Sequence, residues 1–228
     1  MNAGVWFAAY RSDLIGFAAS AALLALYHLY LRLRVRRNPA YTVQAVNRIA
    51  RTAWVARIMK DGEGILAVQT LRNSTMAATF LASTAVLLII GVLTLSEQGD
   101  QLGSTWHALN LFGARQPELW LTKLLALLLD LFVAFFAFSM SIRVFNHVGY
   151  MINVPHGRGH KAISPQHVAV HLNRAGRFYS AGMRAYYFLV PLVFWLFGPH
   201  LMLIATVGLI VVLYKIDRAP KIPEPAGA

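Results

Sequence analysis

The sequence predicts an all-α integral membrane protein with four transmembrane helices plus cytoplasmic amphipathic helices. Three observations predict this fold class: 57% of the 228 residues are hydrophobic, only 13% are charged, and the apolar residues are concentrated in long runs. A run of about 20 such residues is long enough to cross the roughly 30 Å hydrocarbon core of a bilayer as a helix. Because backbone groups cannot stay unpaired in lipid, each run is expected to be helical. We therefore interpret residues 1–228 as one membrane domain.

Four runs reach this length, at about residues 12–33, 74–95, 119–142 and 185–214. The last run contains Pro191 and the pair Gly198-Pro199, and proline disrupts a helix, so a kink or break is expected there. The first ten residues lack the positively charged region of a signal peptide, so no cleavable signal is predicted. The chain has no cysteine, which excludes disulfides and thiolate metal sites.

The basic residues are distributed unevenly, and their positions predict the orientation of the chain. Nine of the 21 Lys and Arg residues lie between Arg32 and Arg72, and six more lie between Arg143 and Arg184. The loop at 96–118 has a single arginine and three carboxylates. Since cytoplasmic loops of membrane proteins carry the excess of Lys and Arg, segments 34–73 and 143–184 are predicted to be cytoplasmic.

This distribution predicts a multi-pass protein of the inner, cytoplasmic membrane, with loop 96–118 and both termini outside. The C-terminal tail, 215–228, is predicted to be flexible, and its three basic residues are too few to reverse the orientation. The orientation of the chain in the membrane thus accounts for most of the net charge of +12. Lys and Arg beside the bilayer also attract anionic lipid headgroups. No aromatic platform or binding motif accompanies the charge, so no nucleic-acid partner is expected.

The first basic segment has the pattern of an amphipathic helix. Asn38 and Pro39 are typical of a helix start, and Asp61 followed by Gly62 is typical of a helix end. One side carries apolar residues at helical spacing: Val43, Val46, Ala50, Ala53 and Trp54. The other side carries polar ones: Gln44, Asn47, Arg48 and Arg51. Such a helix lies in the plane of the headgroups or packs on a neighbour.

The second basic segment includes HGRGHKAISPQHVAVHLNRAGR, residues 156–177, with four of the eight histidines and no carboxylate. Ser164 followed by Pro165 predicts the start of a helix. Guanidinium groups make bidentate hydrogen bonds to phosphate, so this segment and its neighbours are predicted to bind an anion or a lipid phosphate. The candidate residues are Arg72, Asn73, Arg143, His147, His167, His171, Arg174, Arg177 and Arg184.

Three other interpretations of these residues stay open. His167 and His171 have the spacing of two metal ligands, but a site needs three or four, so no metal is favoured. The segment also fits a solvated rim that makes contacts between subunits. His28 and His147 lie near the cytoplasmic ends of their spans and could serve as axial haem ligands, although no cofactor is predicted.

Polar residues inside the third span form a separate candidate site. Asp130 lies near its middle, and a carboxylate there needs protein or water around it. With Ala134, Ala137 and Ser141 it forms a stripe of small residues that allows close helix packing. The stripe indicates either an ion or proton pathway or a packing site, with Ser20, Ser83 and Thr84 as neutral partners for Asp130.

Three stretches of the chain share the pattern of one family: GILAVQTLRNSTMAATFLASTAVLL, VNRIARTAWVARIM and RAYYFLVPLVFWLFGP. The most specific part is QTLRNS, residues 69–74, and together they cover most of the chain from about 40 to 200. On these residues the chain resembles a family of bacterial and plant membrane proteins catalogued as domain of unknown function 599. The resemblance implies a membrane protein with four spans, and it does not assign a reaction to the protein. It marks positions near the cytoplasmic interface: Gln69, Arg72, Asn73, Asn146, Arg184, Tyr186 and Tyr187.

The sequence therefore predicts a homo-oligomeric membrane protein with a basic cytoplasmic vestibule that binds an anion or lipid phosphate, as a channel or pore. Four helices without a clear internal repeat are few for an alternating-access transporter. The alternatives are an accessory subunit of a larger membrane complex, or an enzyme on a phosphorylated lipid with His167 or His171 as acid or base. No catalytic motif favours the enzyme.

Overall fold

The computed structural model describes residues 3–97, 117–154 and 163–220. Within these ranges the chain is helical apart from turns and one isolated β-bridge, which confirms the predicted all-α class. The glycine-containing turn at 156–160 and most of the loop 96–118 lie outside the described residues. The described helices are α1 (Ala3–Arg37), α2 (Val43–Asp61), α3 (Gly64–Glu97), α4 (Pro117–Met151), α5 (Pro165–Phe197) and α6 (Pro199–Ile216).

All of these helices except α2 are long and apolar enough to cross a membrane, so the described residues contain five candidate spans and the predicted four is wrong. The difference lies in the predicted span 185–214, which is two helices. α5 continues through Pro191 to Phe197, and Gly198, with φ of +140°, separates it from α6, which begins at Pro199. Positive φ favours glycine, and proline lacks the N–H that a continuous helix would use.

α1 and α6, the first and last candidate spans, run in the same direction. Gly16 of α1 lies against Pro199 at the start of α6, and the Tyr27 hydroxyl bonds to Asp217 just beyond its end. The ends of the described chain therefore lie at opposite ends of the bundle. The expectation that both termini lie on one side required an even number of spans and does not hold for five.

α4 packs between α3 and α5 through the predicted stripe of small residues. Ala134 and Ser141 are fully buried and Ala137 nearly so. The Ser141 hydroxyl donates a 3.0 Å hydrogen bond to the Ala175 carbonyl oxygen of α5. The stripe thus brings α4 close to its neighbours within one chain.

Asp130, the charged member of that stripe, is half-buried, and its Oδ2 atom has no hydrogen-bond partner within the described residues. Thr84, one of the neutral partners predicted for it, donates instead to the Phe80 carbonyl oxygen of its own helix. Ser20, a second predicted partner of Asp130, is fully buried, and its hydroxyl has no hydrogen-bond partner among the described residues. The pathway and packing interpretations of Asp130 both stay predictions.

α2 lies at the end of the bundle where α1 ends and α3 begins, which we call the α2 end. Thr42, not the predicted Asn38, caps this helix, with its Oγ1 accepting a 3.3 Å hydrogen bond from the Ala45 N–H. Gly62 ends it in the left-handed conformation, with φ of +73°, which confirms the predicted stop. Asn38 instead accepts a hydrogen bond from the backbone two residues later.

The side of α2 that faces α5 is not its predicted apolar side. Arg51 of the predicted polar side bonds to Asn173 of α5, whereas Val46 and Ile49 are exposed. The same side of α2 carries Val55 and Ile58, which are fully buried in a core cluster with Val168 and Leu172 of α5. The helix therefore turns Arg51 together with these two aliphatic residues toward the bundle and leaves Val46 and Ile49 exposed.

A buried ion pair joins three helices at the opposite end. Lys123 Nζ of α4 lies 3.0 Å from Asp13 Oδ1 of α1, and both side chains are almost fully buried. The Trp195 indole N–H of α5 donates a 2.9 Å hydrogen bond to the same oxygen. Sequence reasoning did not identify this pair.

Candidate anion-binding site

A cavity of about 840 Å³ lies between α1, α2 and α5 at the α2 end. We call it the arginine cavity, because its ionisable lining residues are basic: His28, Arg32, Arg36, Arg48, Arg51, Arg177 and Arg184. Among the described residues that line it, none is acidic. Like charges repel one another, so this lining favours a bound anion.

Helical spacing brings these groups together from three separate segments of the chain. The basic residues are four apart on α1, three apart on α2 and seven apart on α5, so on each helix they share one face. The fold turns the three basic faces toward one space. The cavity is thus a product of tertiary packing rather than of one local motif.

Arg51 is held in place by specific contacts. Its Nε donates a 2.9 Å hydrogen bond to Asn173 Oδ1, and the Asn173 amide donates a 3.1 Å hydrogen bond to the Thr52 hydroxyl. Its guanidinium lies against Gly176 of α5, where a Cβ atom would come within 2.7 Å of Arg51 Cζ. The lack of a side chain at Gly176 therefore lets the guanidinium lie on the α5 backbone.

The Arg51 charge has no counter-ion among the described residues, unlike that of Arg57 on the same helix. Exposed Arg57 lies 3.3 Å from Glu63 and 3.6 Å from Asp61, whereas no described carboxylate lies within ion-pair distance of Arg51. Burial lowers the pKa of the Arg51 guanidinium, yet arginine stays protonated in proteins. A bound anion would neutralise this half-buried charge.

One carboxylate lies at the edge of this region. Asp217, directly after α6, has its Oδ2 atom 3.8 Å from Arg184 Nη2 and accepts a 2.8 Å hydrogen bond from the Tyr27 hydroxyl. Its backbone carbonyl oxygen accepts a 3.1 Å hydrogen bond from the Val43 N–H, which fastens the end of α6 to the start of α2. Residues 217–219 of the predicted flexible tail thus belong to this junction.

A second cavity, of about 880 Å³, adjoins the arginine cavity between α2, α3, α5 and the end of α6. The two cavities share Gln44, Arg51, Gly176, Ser180 and Arg184. The remaining lining is mixed, with Asn73 and Ser74 from α3 and the aromatic rings of Trp54, Tyr179 and Tyr187. We call it the amphipathic cavity.

The predicted anion-binding residues lie in different places. Arg177 and Arg184 line the arginine cavity, and Asn73 lines the amphipathic cavity. Arg72, beside Asn73 in sequence, lines a separate crevice of about 690 Å³ between α3 and α4, together with Asn146. The other candidates line neither cavity and lie near the end of α4 and the start of α5: Arg143, His147, His167, His171 and Arg174.

The histidines of α5 are adjacent, as their spacing predicts, with the rings of His167 and His171 4.7 Å apart between centroids. Ser164 caps this helix as predicted. No group of three or more metal-ligand side chains occurs within the described ranges, and the metal interpretation stays a prediction. The haem interpretation also stays a prediction. His28 packs edge-on against Phe188, and His147 is exposed on α4.

The sequence did not mark the remaining cavity arginines as binding residues. Arg32 and Arg36 were interpreted only through membrane orientation, and Arg48 and Arg51 also as the polar side of the amphipathic helix. The signal that could have found them is the repetition of basic residues at helical spacing in three segments. The sequence does not show which faces of the helices meet.

A family model described as a protein of unknown function, DUF599, matches residues 15–222, which confirms the resemblance found in the sequence. No curated protein and no solved structure matches the chain significantly. All residues that line the two cavities fall within the matched range.

Proposed function

The chain belongs to the DUF599 family, and we propose that it is a multi-pass membrane protein that binds a phosphate-bearing anion in the arginine cavity. The supporting observation is the convergence of six guanidinium groups on a cavity with no acidic group among its described lining residues. Guanidinium matches phosphate oxygens with paired, charge-assisted hydrogen bonds. The volume of about 840 Å³ is within the range of small-molecule sites.

The α2 end is proposed to face the cytoplasm of the cell, with five spans and an external N-terminus. With five spans, Lys215 and Arg218 join the two basic segments at the α2 end, so the tail no longer opposes the positive-inside rule. We expect a fluorescent protein fused after residue 228 to fluoresce and a C-terminal alkaline phosphatase fusion to be inactive. An active phosphatase fusion would place the C-terminus outside and contradict five spans in this orientation.

Gly176→Ala tests the proposed site without changing the charge of the protein. A methyl group at position 176 would overlap the Arg51 guanidinium and displace it from the α5 backbone. Because one charge-assisted hydrogen bond contributes about 1.5–3 kcal/mol, we expect pyrophosphate to bind at least about tenfold more weakly to the variant. Calorimetric titration of the protein in a nonionic detergent measures the change.

Gly91→Ala is the matched control, since a Cβ atom at Gly91 of α3 meets nothing within 4 Å. It should bind pyrophosphate as the wild type does. Wild-type protein that shows no saturable pyrophosphate binding at low ionic strength would overturn the proposed function. If Gly176→Ala binds pyrophosphate with wild-type affinity, Arg51 is not part of the binding site.

The homo-oligomeric pore and the accessory-subunit role stay predictions. For an enzyme on a phosphorylated lipid, His167 and His171 were the predicted acid or base, but neither lines the arginine cavity. The arrangement therefore favours binding of the phosphate group over chemistry on it by these two histidines.

A further inference from the structure

An apolar groove adjoins the two cavities at the α2 end. The amphipathic cavity shares Tyr187 with a third cavity of about 410 Å³ between α5 and α6, which we call the acyl groove. One stripe of α5 connects the amphipathic cavity to the groove, because Met183 and Tyr187 line the first and Tyr187, Val190 and Phe194 line the second. The three cavities thus lie one after another along α5, on a path that begins at the arginines.

The chemistry of the lining changes steadily along this path. The arginine cavity is basic, the amphipathic cavity is mixed, and the acyl groove has apolar side chains apart from Tyr187. Large apolar residues of the groove are exposed on the outer surface of the bundle, including Phe194 at 43% and Ile204 at 66%. A ligand that matches all three cavities has an anionic head and a hydrocarbon chain.

The length of the groove matches one leaflet of a bilayer. On α6 it extends from Leu201 to Val212, a distance of about 16 Å at 1.5 Å per residue. Half of the hydrocarbon core is about 15 Å thick. The end of the groove at Val212 and Tyr187 lies toward the α2 end, so a chain in it would extend from the arginines along α6 toward Leu201, near the start of that helix.

We infer that the ligand is an anionic phospholipid whose phosphate lies in the arginine cavity and whose acyl chain lies in the acyl groove. This inference rests on the proposed function and specifies its ligand. Gly208 of α6 is a suitable position to test it, because the residue lines the groove and its Cβ would meet nothing within 4 Å. Gly208→Leu fills the groove and leaves the arginines untouched.

Three probes separate the head from the chain in a binding experiment on the purified protein in detergent. They are short-chain phosphatidic acid, glycerol phosphate, which has the same phosphate without chains, and phosphatidylcholine with the chains of the first probe. We expect phosphatidic acid to bind about tenfold or more tightly than either of the others, because only it engages both parts of the site. Gly208→Leu should remove most of its advantage over glycerol phosphate, whose affinity should not change.

Gly91→Leu, at an open glycine outside the groove, should leave the affinity for all three probes unchanged. If phosphatidic acid binds no better than glycerol phosphate, or if Gly208→Leu does not reduce its binding, the lipid inference is overturned while the proposed function stands. Equal binding of phosphatidic acid and phosphatidylcholine overturns it as well. If neither phosphatidic acid nor glycerol phosphate binds, both the inference and the proposed function fail.

Discussion

Lys123→Met is expected to lower the free energy of unfolding by about 3–5 kcal/mol, because it removes the buried cation that lies 3.0 Å from the buried Asp13 carboxylate. The side chains of Asp13 and Lys123 are 1% and 3% exposed, so solvent does not screen their interaction. The Trp195 N–H that also binds Asp13 Oδ1 would remain, but a neutral donor does not replace a cation. Denaturant titration of the protein in detergent micelles measures the loss.

The double variant Asp13→Leu/Lys123→Met should recover most of that stability, since replacing a buried ion pair by apolar residues is often neutral. Lys60→Met, at an exposed lysine of α2, is the control for the loss of one positive charge and should change stability little. A loss of less than about 1 kcal/mol in Lys123→Met would show that the pair does not hold α1 against α4 and α5.

The double variant Arg51→Gln/Arg184→Gln is expected to weaken pyrophosphate binding at least about a hundredfold, because it removes two charge-assisted interactions. Both side chains line both cavities. Loss of Arg184 also removes the cation that lies 3.8 Å from Asp217, so the remaining carboxylate would repel the anion. The measurement is the same calorimetric titration.

Arg57→Gln/Arg72→Gln is the matched control, because it changes the net charge equally at arginines that line neither cavity. It isolates the long-range contribution of positive charge, which added salt should suppress. If the two double variants lose similar affinity, general electrostatic attraction rather than the cavity binds the anion, and the site assignment is wrong.

Features set by local chemistry could be predicted from the sequence. The apolar runs predicted the long apolar helices, Ser164 predicted the start of α5, and Gly62 predicted the end of α2. The break at Gly198-Pro199 was also foreseen as a kink or break. The separation into two candidate spans was not foreseen. The α5 residues from Pro165 onward, which extend the first of the two, carry arginines and histidines and were assigned to the cytoplasm.

Features set by tertiary packing could not be predicted. The amphipathic pattern of α2 indicated a different inward side: Val55 and Ile58 are buried against the bundle. Arg51 faces α5 beside them, where Gly176 and Asn173 provide a place for its guanidinium. Asp13 and Lys123 both fall at the external ends of predicted spans and carry opposite charges, which was an unused signal for their pairing. No single-sequence pattern states which faces of α1, α2 and α5 meet.

Crystals of the protein soaked with tungstate, a phosphate-like anion that scatters strongly, test the central claim most directly. The account predicts an anomalous peak within the arginine cavity, in hydrogen-bond contact with Arg51 or Arg184, that disappears in Arg51→Gln/Arg184→Gln. A peak beside His147, His167 and His171 with an empty arginine cavity would contradict it.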